Sequence, residues 1–143
     1  FVPSEYTRRA IERVRADALE SGRPEDAVEI AASLVVSADP DGDPARDAVR
    51  PAIATYLADF PSIAKESGIA DDLRAKIWEA HRRGGAAAAA PLITDETVAD
   101  LSCSGTVDEC RHAIEGRRRS GVRLPNLSFA HGDATRLMES LSG

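Results

Sequence analysis

Few side chains in this 143-residue sequence are equipped for chemistry: three histidines, two cysteines and a scatter of serines, threonines and arginines. Cys103, Cys110, His112, His81 and His131 are the types that bind a transition metal. Their spacing matches no zinc signature, and Cys110 and His112 leave a helix on different sides. A Cys–His nucleophile pair would need a base or cation that lowers the thiol pKa, and no such arrangement is written here. Arg117, Arg118 and Arg119, with Arg111 and Arg123, form the basic cluster. It suits a phosphate or a cofactor tail, but the plainer reading is cations placed at the negative end of a helix dipole. Thr106 and Glu109 have capping-box spacing and lack the glycine pattern of a phosphate cradle. His131 is a candidate proton donor or ligand contact, since imidazole is the side chain suited to proton transfer near neutral pH; the plainer reading is a solvent-exposed loop histidine.

The elements that position these residues follow from hydrophobic periodicity. Tyr6, Ala10, Val14 and Ala18, with Ile11, make the stripe of a first helix that Ser4 can cap and Gly22 can stop. Val28 to Ser37 (VEIAASLVVS) reads as a strand: short, β-branched and almost continuously apolar, the pattern of a parallel strand covered on both sides. Its bulky face is Ile30, Ala32, Leu34 and Val36; its small face is Ala31, Ser33, Val35 and Ser37. The bulky face should meet helices and the small one a lumen or crevice, which makes Ser33 and Ser37 candidates for hydrogen bonds to a bound ring. Such serines also serve neighbouring backbone.

Asp43 and Pro44 open a helical stripe through Val49, Ile53 and Leu57, with a kink or a short break expected at Pro51. A further helix through Leu73, Ile77 and Ala80 should end at Gly84-Gly85, with Trp78 alongside. For Trp78 and Phe60 a packed core position is the expectation. Thr94 or Asp95 caps a short helix, Thr106 opens another to about Arg119, and Val122 to Ala130 holds a second strand, centred on Leu127 to Phe129. Asp133 is placed to cap a last helix carrying Leu137, Met138 and Leu141. Ser128, on the second strand, and His131, just beyond it, join the candidate site.

Composition bounds the function. Hydrophobic residues are 43% and charged residues 29%, as in an ordinary folded protein. A net charge of −6 opposes a nucleic-acid partner, whose phosphates a binding surface must neutralise. The longest apolar run, Ile30 to Val36, is too short to span a membrane. No export leader opens the chain and two cysteines make no disulfide framework, so the expectation is a cytoplasmic protein of one domain.

Two parallel-type strands cannot make a stable sheet alone, because parallel sheets are built from several strands and covered on both faces. The missing strands are expected from another chain or from residues beyond these.

Several segments together resemble the C-terminal part of the bacterial luciferase-like oxidoreductases. They are Ser4-Glu-Tyr with its Arg-rich helix, Ser21-Gly-Arg-Pro-Glu-Asp before VEIAASLVVS, and Ala45-Arg-Asp-Ala-Val-Arg-Pro-Ala52. Pro91-Leu-Ile-Thr-Asp-Glu96, Ser104-Gly-Thr-Val-Asp-Glu-Cys-Arg111 and Gly121-Val complete the set in order. The branch most similar includes methylene-tetrahydromethanopterin reductases and other users of coenzyme F-420.

The resemblance implies an α/β fold: the helix-rich C-terminal portion of a TIM (βα)8 barrel, with about two parallel strands and inserted helices. VEIAASLVVS would be the seventh strand and the Leu127 to Phe129 segment the eighth, all within one incomplete domain over 1–143. The implied parent is a flavin- or deazaflavin-dependent oxidoreductase using F-420 or FMN on a small organic substrate by hydride transfer or monooxygenation. Barrel chemistry sits at the C-terminal strand ends, here Ser37-Ala-Asp39 and Ala130-His-Gly-Asp133. Ser33, Ser37, Ser128 and His131 are thus the cofactor- or substrate-binding candidates, with no catalytic residue assigned and no metal. This chain alone is expected to be inactive, its partner the missing N-terminal barrel half or another copy in a homo-oligomer. The alternative is a non-catalytic luciferase-like binding or assembly module that pairs with another chain.

Overall fold

A computed structural model describes residues 1–132 and 134–142. Helix α1 (Ser4–Glu20) leads to strand β1 (Ala31–Ala38). Helices α2 (Asp43–Asp59), α3 (Pro61–Glu66) and α4 (Asp71–Ala89), a 3-10 turn (Ala90–Leu92) and α5 (Asp95–Leu101) follow. The chain then forms β2 (Cys103–Gly105), α6 (Val107–Arg119), β3 (Leu124–His131) and α7 (Ala134–Ser142). The fold is α/β and helix-rich, with a three-stranded parallel sheet in the order β2-β1-β3.

The sheet has one strand more than the expected two. β2 is three residues long and pairs with β1 only over Val36, Ser37 and Ala38. So short a ladder carries no periodicity of its own, and in the sequence it merges with the capping box that follows. β3 pairs with β1 from Ala31 to Ser37. Among the described residues, nothing pairs with Ala31–Val35 on the β2 side of β1, or with the outer edge of β3. Both edges therefore present unused backbone donors and acceptors.

Two cores flank the sheet. On one face Leu34, Val36 and Ala38 pack with Leu127, Phe129, Cys103, Cys110, Ile114 and Leu137, so the bulky face of β1 meets α6 and α7 as its pattern requires. On the other, Val35 packs against Val49, Ile53, Leu57, Ile77, Val98 and Leu101 from α2, α4 and α5. The small face is thus covered toward its C-terminal end, while Ala31 and Ser33 remain exposed.

Local signals are met unevenly. Thr94 caps α5 by accepting the Thr97 N–H at 3.2 Å, and the capping box of α6 forms through Thr106 and Glu109. Pro3, not Ser4, holds the N-cap position of α1, and Gly42 precedes α2 with Asp43 as its first residue. Helix α2 runs through Pro51 without the short break that was one of the two expectations there. Buried Val49, Ile53, Ala54 and Leu57 on both sides of the proline hold the helix despite the absent donor. Gly84 and Gly85 break the helical backbone, Gly85 at φ 69°, and the chain then resumes a short helical run to Ala89.

Trp78 and Phe60 are not core residues; they are 52% and 51% exposed. Phe60 stacks on Tyr56 at 4.8 Å, and the Arg82 guanidinium lies 5.9 Å from the Trp78 ring. The cap expected of Asp133 lies outside the described residues. In α7 Leu137 is buried and Met138 is exposed.

Candidate functional site

β1 and β3 run parallel, so their C-terminal ends meet at one rim of the sheet. There the ladder is irregular: Val36 pairs with Phe129, but Ser37 pairs with His131, leaving Ala130 as an extra residue in β3. Phe129 belongs to the α6–α7 side. The bulge therefore brings His131 into register with Ser37, on the opposite side of β1 from Val36.

Beyond β1 the chain turns back through Asp39. Its N–H donates to the Gly105 carbonyl at 3.0 Å, and its Oδ1 accepts the Asp41 N–H at 3.1 Å. The other oxygen, Oδ2, stands 3.7 Å from His131 Nε2. The His131 side chain is 46% exposed and that of Asp39 25%, so the pair is open to solvent and to a ligand. Protonated His131 would gain a partner in Asp39; the neutral ring would accept or donate toward a bound molecule. Gly132 permits the close passage of the two loops: at φ 93°, a Cβ there would overlap the Ala38 carbonyl oxygen.

The candidate serines are divided. Ser33 and Ser128 are both exposed and lie on the same face of the sheet, with exposed Asn126 paired in register with Ser33. Ser37 is fully buried, and its Oγ has no hydrogen-bond partner. Its carbonyl, by contrast, accepts from the Cys110 thiol at 3.2 Å. The site thus has two zones: a shallow strip of Ser33, Asn126 and Ser128, and a rim formed by Asp39 and His131, with Ser37 beneath. Asp39 and Asn126 were not among the assigned site residues. Asp39 was legible only as a post-strand position; Asn126 carried no signal beyond its alternation with Ser128.

The thiols are unsuited to nucleophilic work. Burial pushes Cys103 upward and Cys110 to about 11. The Cys110 thiol also donates to the Cys103 carbonyl at 3.2 Å. His81 Nε2 meets Thr55 Oγ1 at 3.2 Å, tying α4 to α2, and His112 is exposed on α6. Among the described residues no three His, Cys, Asp or Glu side chains gather as a metal would require. No helix among them is long and apolar enough to cross a membrane.

A parallel sheet backed by helices, with polar groups at its C-terminal rim, is the arrangement of a βα-barrel enzyme. Residues 1–124 match the family model of the luciferase-like monooxygenases, and the chain belongs to that family. It is 30% identical over 118 residues to a 5,10-methylenetetrahydromethanopterin reductase of Archaeoglobus fulgidus, covering 79% of this chain and 36% of that protein. It is also similar in structure to the coenzyme F-420-dependent tetrahydromethanopterin reductase of Methanopyrus kandleri. The TM-score is 0.78 at 25% identity, over 93% of this chain and 39% of the other. The chain therefore spans little more than a third of the length of these relatives.

Proposed function

We propose that the chain forms the C-terminal part of an oxidoreductase barrel that uses coenzyme F-420, and that it supplies one wall and part of the rim of the active site. The observation that carries this reading is the exposed strip of Ser33, Asn126 and Ser128 leading to Asp39 and His131, on a sheet with two open edges. Small polar side chains on a flat face leave room for a planar heteroaromatic ring and offer it hydrogen bonds. The chemistry of those donors fits the deazaflavin. FMN, whose ring is similar in shape, fits the same strip; similarity to the two reductases favours F-420.

When bound, the coenzyme would supply hydride transfer to or from a small organic substrate. The residues of this chain do the rest. The Ser33 and Ser128 hydroxyls and the Asn126 amide orient the ring edge. His131 Nε2, held near Asp39, gives or takes a proton at the rim. The helical layer of α2, α4 and α5 over Val35 keeps water from the C-terminal part of the face.

The open edges of β1 and β3 support an incomplete domain whose partner is the N-terminal barrel half, in a protein of the cytoplasm where Cys103 and Cys110 remain free thiols. The same edges support a second reading, a non-catalytic module that pairs with another chain. Titration of reduced and oxidised F-420 into the complete natural polypeptide, followed by deazaflavin fluorescence, separates the two. Saturable binding weakened in His131→Ala and Ser128→Val is expected. Absence of binding by the complete polypeptide would leave the assembly reading, and saturable binding by residues 1–143 alone would overturn the view that the site is incomplete.

A further inference from the structure

Arg117 stands apart from the rim and from the basic surface around it. Arg118 and Arg119 are exposed, whereas Arg117, in the last turn of α6, is only 8% exposed. Its guanidinium donates to Ser4 Oγ at the start of α1 and to the Asp100 carbonyl at the end of α5, and it reaches the Cys103 thiol. All three are neutral acceptors. Among the described residues no carboxylate lies within ion-pair distance of it. Arg8 is already paired with Glu5 and Glu12, and Asp100 Oδ1 accepts the Ser4 N–H at 3.0 Å.

A buried guanidinium without a counter-charge is costly, and hydrogen bonds to neutral groups leave its charge uncompensated. Here the cost coincides with space. A cavity of about 460 Å3 opens between α1, α5 and α6, walled by Ser4, Glu5 with its partner Arg8, Asp100, Gly116 and Arg117. Ala99 and Gly116 have no long side chain to fill it. A guanidinium in the wall of such a space, with N–H groups beyond those given to Ser4 and Asp100, matches an oxyanion in charge.

We propose that this cavity binds a small oxyanion, the phosphate or carboxylate end of a metabolite, with Arg117 as its counter-charge. The site is separate from the strip and rim assigned to the coenzyme, and it stands or falls independently of that assignment.

The test is a titration of the complete natural polypeptide with inorganic phosphate and, separately, acetate. It is followed by the side-chain N–H resonance of Arg117, assigned by its loss in Arg117→Lys. A saturable shift is expected with at least one of the anions, and the anion that saturates identifies which end the cavity takes. Arg117→Gln should weaken binding at least tenfold. Asp100→Asn should tighten it severalfold, because it removes a negative charge from the wall while keeping the oxygen that accepts the Ser4 N–H. A purely structural arginine would show neither the shift nor the response to Asp100→Asn. No saturation by either anion, or unchanged affinity in Asp100→Asn, overturns the proposal. If Arg117→Gln fails to fold, these two measurements still decide.

Discussion

Glu109 Oε2 accepts the Thr106 N–H at 2.6 Å and stands 3.2 Å from Arg46 Nη1, so one carboxylate oxygen joins the start of α6 to the first turn of α2. Those helices follow the ends of β2 and β1, and the pair fixes the two strand-end loops relative to each other. Gly105 allows it: a side chain there would overlap the same oxygen. Replacing Thr106 with Ala removes the reciprocal half of the box and should cost about 1 kcal/mol, read as a lowered urea midpoint at unchanged slope.

The same carboxylate makes the link acid-sensitive. Hydrogen bonds from the Thr106 backbone and side chain, and the Arg46 guanidinium, hold the Glu109 pKa below the ordinary carboxylate range. A group depressed in the folded state contributes stability that is present above its unfolded pKa and lost as pH falls through the folded one. Urea midpoints measured from neutrality down through the carboxylate range should therefore fall less steeply in Glu109→Gln than in the parent.

The buried thiols have the opposite sense. Cys110 is raised to about 11, chiefly by burial, from an ordinary value of 9.0. Its protonated form is favoured by folding, so that contribution is complete below the ordinary thiol pKa and is lost as pH rises toward about 11. Alkylation of Cys103 and Cys110 with iodoacetamide at neutral pH should be slow in the folded chain and should become rapid in urea. Fast labelling of either thiol under native conditions would contradict the structure.

Gly132→Ala should be among the most damaging substitutions of an exposed residue. It meets a φ of 93° and the Ala38 carbonyl together, and a loss of about 2 kcal/mol or more is expected from thermal unfolding. In the complete polypeptide the same change should weaken binding of the coenzyme, because it separates the loops that carry His131 and Asp39.

Legibility from the sequence tracked the length and regularity of each signal. β1 declared itself through a run of apolar, β-branched residues, and its two unequal faces pointed to opposite sides of the sheet as observed. The Thr106 capping box needed only two residues at the right spacing. β2 was invisible because three residues show no period, and no break opens at Pro51 because packing on both sides of it outweighs one missing hydrogen bond. Ser33 and Ser128 do share an open face, whereas Ser37, further along the same alternation, is fully buried beyond Val35, which α2, α4 and α5 cover. Alternation along one strand names a face; it does not say where a distant helix will lie upon it. The cation at Arg117 looked like a helix-dipole partner, since nothing local reveals that α1 and α5 close over it.

The inserted residue at Ala130 has a genetic consequence. Removing that single codon would restore an uninterrupted two-residue rhythm in β3, and the imidazole, now next to Phe129, would still fall opposite Ser37, on the side away from the α6–α7 layer. A deletion there should leave both the upstream ladder and the side of the imidazole unchanged, removing only the added twist with which β3 reaches the rim.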